Sequence, residues 1–580
     1  MNIFNRLFTL SLCLFLGSIP VFAQDEEEDK TLDTEVVNIV RPYSPSLSDA
    51  FKIKQTPIIN DSVTSQKQDV TYGIFSVPVA STFTPAKGTA VGVEKAAAAP
   101  LYDNYVTLGF GNYTTALAEL YSTWQLSRTD NFGLFLRHNS AQGDIADVEL
   151  DAAFLDTDLS LTYSSFQRDM AYDINLDATH QLYNWYGLNP FQSIPVDVLN
   201  GIDPQQTYFS AEVSGGLSLQ DSYFKQGRGS LSFLSDSFGS SELRAVFEPQ
   251  VVLPITEYEF LLNVDLDFVS GSFERGYLDT NPIDYGFLNL GLSPALEILN
   301  DDLTLYLGAA IYLGQDIENS DSDFFLYPRV RASYRLLDDT VIAYGGVEGD
   351  LVQNSFFNFK ETNPFVSPTL MIAPTDQIYD AYVGFKGKFA GNVSYNVRGS
   401  FKNENNRPLF LSNPFKGASA EFEGYEFGNS FQVVYDNVET VNLFGELKIA
   451  LSDKATFGVS GNYFGYSGDL TGNAPWNLPE LTASASIDVQ FSDKIYGGAS
   501  LFFVGERQDA LSDTFINTLP VITTLDSYFD ANLYVTYKIN ERVSIFARGN
   551  NLAGTNYEKW INFPVQGLQV MAGATYKFNW

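Results

Sequence analysis

The fold class this sequence predicts is an all-β, transmembrane, antiparallel up-and-down β-barrel of about 22 strands, and three observations predict it. From Tyr105 onward apolar and polar residues alternate in run after run, the period of a strand with one apolar and one polar face. Short polar turns alternate along the chain with much longer connections, the asymmetry expected of short periplasmic turns and long extracellular loops. No uninterrupted run of about 18 apolar residues occurs, so no helix is available to span a bilayer and only a closed barrel remains.

The first 23 residues read as a secretory signal peptide. Arg6 supplies the positive charge, Leu7 to Leu16 the apolar core, and Val21-Phe22-Ala23 the small-residue cleavage site. The one cysteine, Cys13, lies in that core, so disulfides, thiolate metal sites and a cysteine nucleophile are not expected after processing. Removing Arg6 leaves 33 basic against 70 acidic residues, a net charge of 33 − 70 = −37, which disfavours nucleic acid as a partner.

Residues 24–102 lack the alternation. An acidic cluster from Asp25 to Asp29 precedes a stretch punctuated by Pro42, Pro45, Pro57, Pro78, Pro85 and Pro100, which is expected to form an extended, largely irregular periplasmic segment. Residues 103–580 are then the barrel. Tyr258, Phe260, Leu262, Val264, Leu266 and Phe268 alternate with Glu257, Glu259, Asn263, Asp265 and Asp267, and 303–313, 393–401 and 481–491 alternate as cleanly. Charge on one face throughout marks that face as the lumen, because a charge on the lipid side costs about 2–4 kcal/mol at mid-membrane. Turns are expected at Asp130, Asp221, Pro254, Asp301, Asp338, Gly391, Asp453, Asp493 and Glu541, and long loops around 187–205, 352–377, 403–430 and 508–526. With 33 Tyr and 47 Phe there are rings enough for aromatic girdles at both interfaces.

The last stretch closes the structure. Phe529, Ala531, Leu533, Val535, Tyr537 and Ile539 alternate with polar residues; after a turn at Asn540-Glu541-Arg542 the chain returns through Val543, Ile545 and Ala547. It ends with Leu568, Val570, Ala572, Ala574, Tyr576, Phe578 and Trp580 on one face, the aromatic three expected at the periplasmic interface. Tyr537-Lys538-Ile539-Asn540, Val543-Ser544-Ile545, Arg548-Gly549-Asn550-Asn551-Leu552, Asn556-Tyr557, Phe563-Pro564, Gly567 and Tyr576 to Phe578 together resemble the C-terminal end of TonB-dependent receptor barrels of Gram-negative outer membranes. The Asp436-Asn437 turn and Leu451-Ser452-Asp453-Lys454 resemble them more loosely.

That resemblance implies an outer-membrane location, contact with outer-membrane lipid and a transport role. It also gives a meaning to Glu35, Val36, Val37, Asn38, Ile39 and Val40, which are similar to the box by which such receptors recruit a TonB-type energising protein; a β-addition segment for another partner reads equally well there. The chain departs from the family in one respect. Fewer than 80 residues separate signal from first strand, too few for the folded plug these receptors carry, so the alternative is a non-transporting accessory or structural subunit of an outer-membrane complex.

Nothing points to an enzyme, a metal or a cofactor. The two histidines, His138 and His180, are too few for a histidine-based centre, with His138 read as a polar residue near a strand end, and HExxH, GxSxG and P-loop patterns do not occur. Gly109-Phe110-Gly111 is followed by no helix and reads as strand. The acidic run Asp316 to Asp323 lacks EF-hand spacing and reads as solvated charge. On the lumen face, Arg329, Arg331, Arg335, Arg398 and Arg548 are expected to pair with Glu257, Glu259, Asp265, Asp267 and Asp488 into a network that holds a wide wall. The apolar loop segments Phe356-Phe357-Asn358-Phe359, Pro364-Phe365, Pro408 to Leu411 and Leu519 to Ile522 are expected to pack on one another at the mouth in preference to a partner.

Overall fold

A computed structural model of the protein describes residues 102–143, 145–190, 192–255, 258–511 and 521–580. The leader at 1–23, the segment at 24–102 up to Leu101, the box-like residues Glu35 to Val40, and Glu257 lie outside the described residues.

Twenty-two strands form one antiparallel sheet in which each strand pairs with its neighbours in sequence. The sheet closes on itself. The first strand, Asn104–Gly111, pairs with the last, Gln569–Phe578, as well as with Ala116–Gln125, so no edge is left with unpaired N–H and C=O groups. Gln569–Phe578 pairs on its other side with Val543–Asn550, as the alternation of that stretch predicts.

The glycine pair at 109 and 111 has its reason in this seam. A Cβ on Gly573 would lie 2.3 Å from the Phe546 ring and one on Gly109 3.1 Å from it, so the two strands leave a recess that the ring fills. At the other edge of the seam Trp580 donates its Nε1–H to Ser122, and the rings of Tyr576, Phe578 and Trp580 lie against one another.

Connections at one end of the barrel are turns of two to four residues or so, as at 167–169, 300–302, 390–392 and 453–454. The other end carries long ones, at 142–153, 185–204, 353–374, 413–430 and 551–568, with short exceptions at 112–115, 237–240 and 317–320. Asn319 donates to both oxygens of Asp316 in the last of these, so the acidic run there is a tight hairpin turn.

Two expectations are corrected. Asp436 and Asn437 form no turn: they lie within the strand Phe431–Ser452, and 403–412, expected to be loop, continues the strand Val393–Ser412. These two strands run 20 and 22 residues, about twice the 9–11 needed to cross a bilayer, so pairing with each other is what extends them beyond it. The connection at 508–526 also holds a hairpin, Arg507–Leu511 with Val521–Leu525, outside the barrel sheet.

Candidate functional site: the mouth and the inner wall

A hydrophobic cluster lies at the loop end. It unites Tyr208, Val269, Phe273 and Tyr285 from three barrel strands with Phe356, Phe359, Val366 and Leu370 from the 353–374 connection, Phe431 and Val433 from a distant strand, and Trp560, Ile561 and Phe563 from the 551–568 connection. Residues from so much of the ring can meet only across its mouth. Phe365 stacks on Phe563 at 3.9 Å between ring centroids, Phe410 meets Trp560 at 5.4 Å and Phe359 at 5.9 Å. The segments at 356–359, 364–365 and 408–411 therefore do pack with one another and with 560–563, each supplying surface that buries the others, while Leu519 and Pro520 of the fourth lie outside the described residues and Ile522 is exposed.

Polar groups fix the 353–374 connection to the wall. Ser355 caps the short helix Phe356–Thr362 by accepting from the Asn358 N–H. The Glu242 carboxylate accepts from the Phe356 N–H at 2.6 Å, the Phe357 N–H at 3.0 Å and the Tyr285 hydroxyl at 2.7 Å. The buried Lys360 ammonium donates to Gln181 and to Glu361 and lies over the Tyr208 and Phe357 rings. Asn289 donates to Gln353, Trp185 to the Phe365 carbonyl and Tyr208 to the Pro364 carbonyl.

A second cluster, with Trp476, Leu409, Leu411 and Ala510, seats the 507–525 hairpin beside the first. Asp509 there is fully buried, accepting from Asn477 and from the backbone N–H groups of Ser412 and Ala510; burial pushes its carboxyl up to about 7. Arg507, buried beside it, gives its guanidinium to the Glu558 and Lys559 carbonyls, and burial lowers its pKa.

Because Tyr208, Glu242, Val269 and Phe273 meet the inserted connection, period-2 alternation makes their face of each strand the interior one. Below the mouth that face carries charge. Arg329 pairs with Asp350 at 2.8 Å, Arg398 with Asp380 at 2.6 Å and Arg244 with Asp267 at 2.6 Å, while Arg331 reaches Glu348 at 3.7 Å and lies over the Tyr306 ring. Asp265 accepts from the Tyr312 hydroxyl and Asp488 from that of Tyr534. Arg335 is held by the Asp301 carbonyl and Asp339, and Arg548 lies over the Phe546 ring. Asp265, Arg329 and Arg331 line a cavity of about 620 Å³ with Arg228, Glu248 and Tyr306 among its other walls.

The network exists, but with other partners than expected. Asp267 pairs with Arg244, an arginine the alternation did not single out, while Arg329, Arg331 and Arg398 take Asp350, Glu348 and Asp380, acids it did not single out either. No pairing is observed for Glu259. His138 and His180 lie on the outer face, both in register with Thr157, and His138 shares hydrogen bonds with Thr157 and Ser140; His138 is a wall residue within the strand Asp130–Ala141.

On strands Phe154–Phe166, Met170–Asn184 and Gln205–Leu219 the interior face differs. Asp156, Asp158, Asp173, Asp177 and Glu212 follow one another there, bonded by Tyr183, Thr179, Asn175 and Ser160, and among the described residues none of the five has a cation within ion-pairing distance.

No protein-family model matches the sequence, and no curated protein does. Solved structures match its fold. The siderophore receptor PirA from Acinetobacter baumannii superimposes with a TM-score of 0.60 at 12% identity over 82% of this chain and 80% of that one. The iron transporter FrpB from Neisseria meningitidis gives 0.61 at 9% over 83% and 82%, and the copper transporter OprC 0.57 at 12% over 83% and 81%. At these identities the likeness is one of fold, the closed antiparallel barrel described above.

Proposed function

We propose that this protein is an outer-membrane barrel with a transport-related role whose lumen its own loops hold closed. The observation that carries the proposal is the cluster of Tyr208, Phe273, Phe356, Phe431, Trp560 and Phe563, in which apolar side chains from most of the circumference meet across the mouth. A barrel of 22 strands encloses a space wider than that of a porin, and an open one would be a hole in the membrane. The fold shared with a siderophore receptor and with iron and copper transporters supports the transport role. In this reading the charged interior, with Glu259, Asp265, Asp267, Arg329, Arg331, Arg335, Arg398, Asp488 and Arg548, lines the route below the mouth, and the segment Glu35 to Val40 recruits a TonB-type energising protein.

The test is conductance of the intact protein in planar bilayers after purification in mild detergent. A low, intermittent conductance is expected, and a large steady one would overturn closure. Stoichiometric partner proteins that co-purify, with no flux under any condition, would replace the transport role with that of a subunit in an outer-membrane complex.

A further inference from the structure

The closure is fastened at one place more firmly than elsewhere. Glu242 is 3% exposed and stands on a barrel strand, yet three of its hydrogen bonds go to atoms beyond that strand, two of them to backbone N–H groups of the inserted connection. Hydrogen bonds to a carboxylate are stronger than neutral ones, and a buried carboxylate stripped of them would face the full cost of its own desolvation. Wall and loop are therefore committed to each other through this one group. Lys360, 2% exposed, repeats the arrangement in reverse, with a loop ammonium bonded to Gln181 of the wall and enclosed by the Tyr208 and Phe357 rings. The remaining wall contacts of 353–374 are neutral pairs such as Asn289 with Gln353.

We propose that the 353–374 connection is a gate, and that Glu242 on the wall and Lys360 on the gate are the paired latches that hold it shut. This rests on the closed-mouth reading above and adds to it which segment moves and which residues hold it. Opening must break the Glu242 bonds to Phe356 and Phe357 and withdraw Lys360 from its aromatic cage. Both groups then enter water, which solvates them and offsets part of the cost of opening; the buried Phe356, Phe359, Val366 and Leu370 of the same segment supply the rest of the resistance.

Glu242→Gln keeps shape and volume and removes the charge. Single-channel recording is expected to show at least about a tenfold increase in the fraction of time open relative to the parent protein, the factor that follows from weakening one charge-assisted hydrogen bond. Lys360→Met, which retains the apolar stem, is expected to act in the same direction. A third protein carries Glu242→Gln together with Asn289→Cys and Gln353→Cys, joined by a bifunctional thiol reagent so that the gate is tied to the wall. It is expected to return to the closed behaviour of the parent. Parent-like closure of both single variants, with unchanged heat-modifiability showing that they fold, would overturn the latch while leaving closure itself intact. Openings that persist in the tied protein would show that some other segment moves. A parent protein that is already open would fail the reading on which the latch rests.

Discussion

The inner wall of this barrel is two walls of different chemistry. From strand Ser241–Ile255 round to Val393–Ser412, each of the acids Asp267, Asp350, Glu348 and Asp380 has an arginine, and two of these arginines, Arg331 and Arg398, also lie over tyrosine rings. From Phe154–Phe166 to Gln205–Leu219 four carboxylates, Asp156, Asp158, Asp173 and Asp177, accept from hydroxyl and amide donors, and Glu212 shares their face. Asp177 even stands directly across from Glu212 in the strand register. On the first wall four acids are offset by arginines, beside others such as Asp265 that accept from a tyrosine hydroxyl instead. The second gathers acids that have no cation at ion-pairing distance among the described residues, an arrangement that water in a lumen would make tolerable by solvating them. The difference separates what holds the barrel from what would act on a passing ion.

If that division holds, breaking the paired wall should damage stability most. Arg398→Ala would leave Asp380, whose carboxylate is 19% exposed, without the guanidinium at 2.6 Å. A cost of about 2–3 kcal/mol is expected, below the roughly 3–5 kcal/mol for a fully buried pair because water still reaches both groups. The temperature at which the folded band disappears on unheated gels should fall accordingly. No change would mean that water already does the work of the arginine and that the two walls are alike.

The same measurement on the acidic wall should give little or the opposite sign. Asp177→Asn relieves the cross-strand repulsion from Glu212 while keeping a polar group beside Ser160, so stability is expected within about 0.5 kcal/mol of the parent or slightly above it. The consequence should appear in permeation. With the gate opened by Glu242→Gln, reversal potentials in a salt gradient should show cation preference, and Asp158→Asn with Asp177→Asn should reduce it. Equal reduction by Asp267→Asn, on the paired wall, would erase the distinction.

The alternation that defines each strand is local, so strand number, closure between Asn104–Gly111 and Gln569–Phe578, and the side on which charges lie were legible in the sequence. The partners were not. Arg329 and Asp350 meet because their strands are neighbours in one register, and alternation says which face a residue takes without saying how far up the neighbour its partner stands. The apolar segments at 356–359, 364–365 and 408–411 announced themselves by composition, and their packing with one another followed. Glu242, Lys360 and Asp509 gave no such sign. Each owes its role to a segment brought over it from more than 90 residues away, or, for Lys360, to a wall residue equally remote. The strand through Asp436 was misread because polar residues at the end of a strand that outruns the membrane look like a turn.

Asp509 provides the smallest and sharpest test, since it has what the acidic wall has, amide donors and no carboxylate-bound cation, but in a dry place. Burial raises its carboxyl from the usual 3.8 to about 7. The folded mouth then binds a proton that the opened hairpin does not hold between about pH 4 and 7. The stability contributed is fully present below about pH 4 and is lost as pH rises through 7. Hydrogen exchange of the Arg507 to Ala510 amides should therefore report local opening more often at pH 8 than at pH 5, by about tenfold or more after correction for the intrinsic rate. Asp509→Asn, which cannot ionise, should flatten the dependence while keeping a side-chain oxygen for the N–H groups of Ser412 and Ala510. A dependence that survives the substitution would assign the titration to another group. A parent protein with no dependence would mean that water reaches Asp509 after all, and that the mouth is as wet as the wall below it.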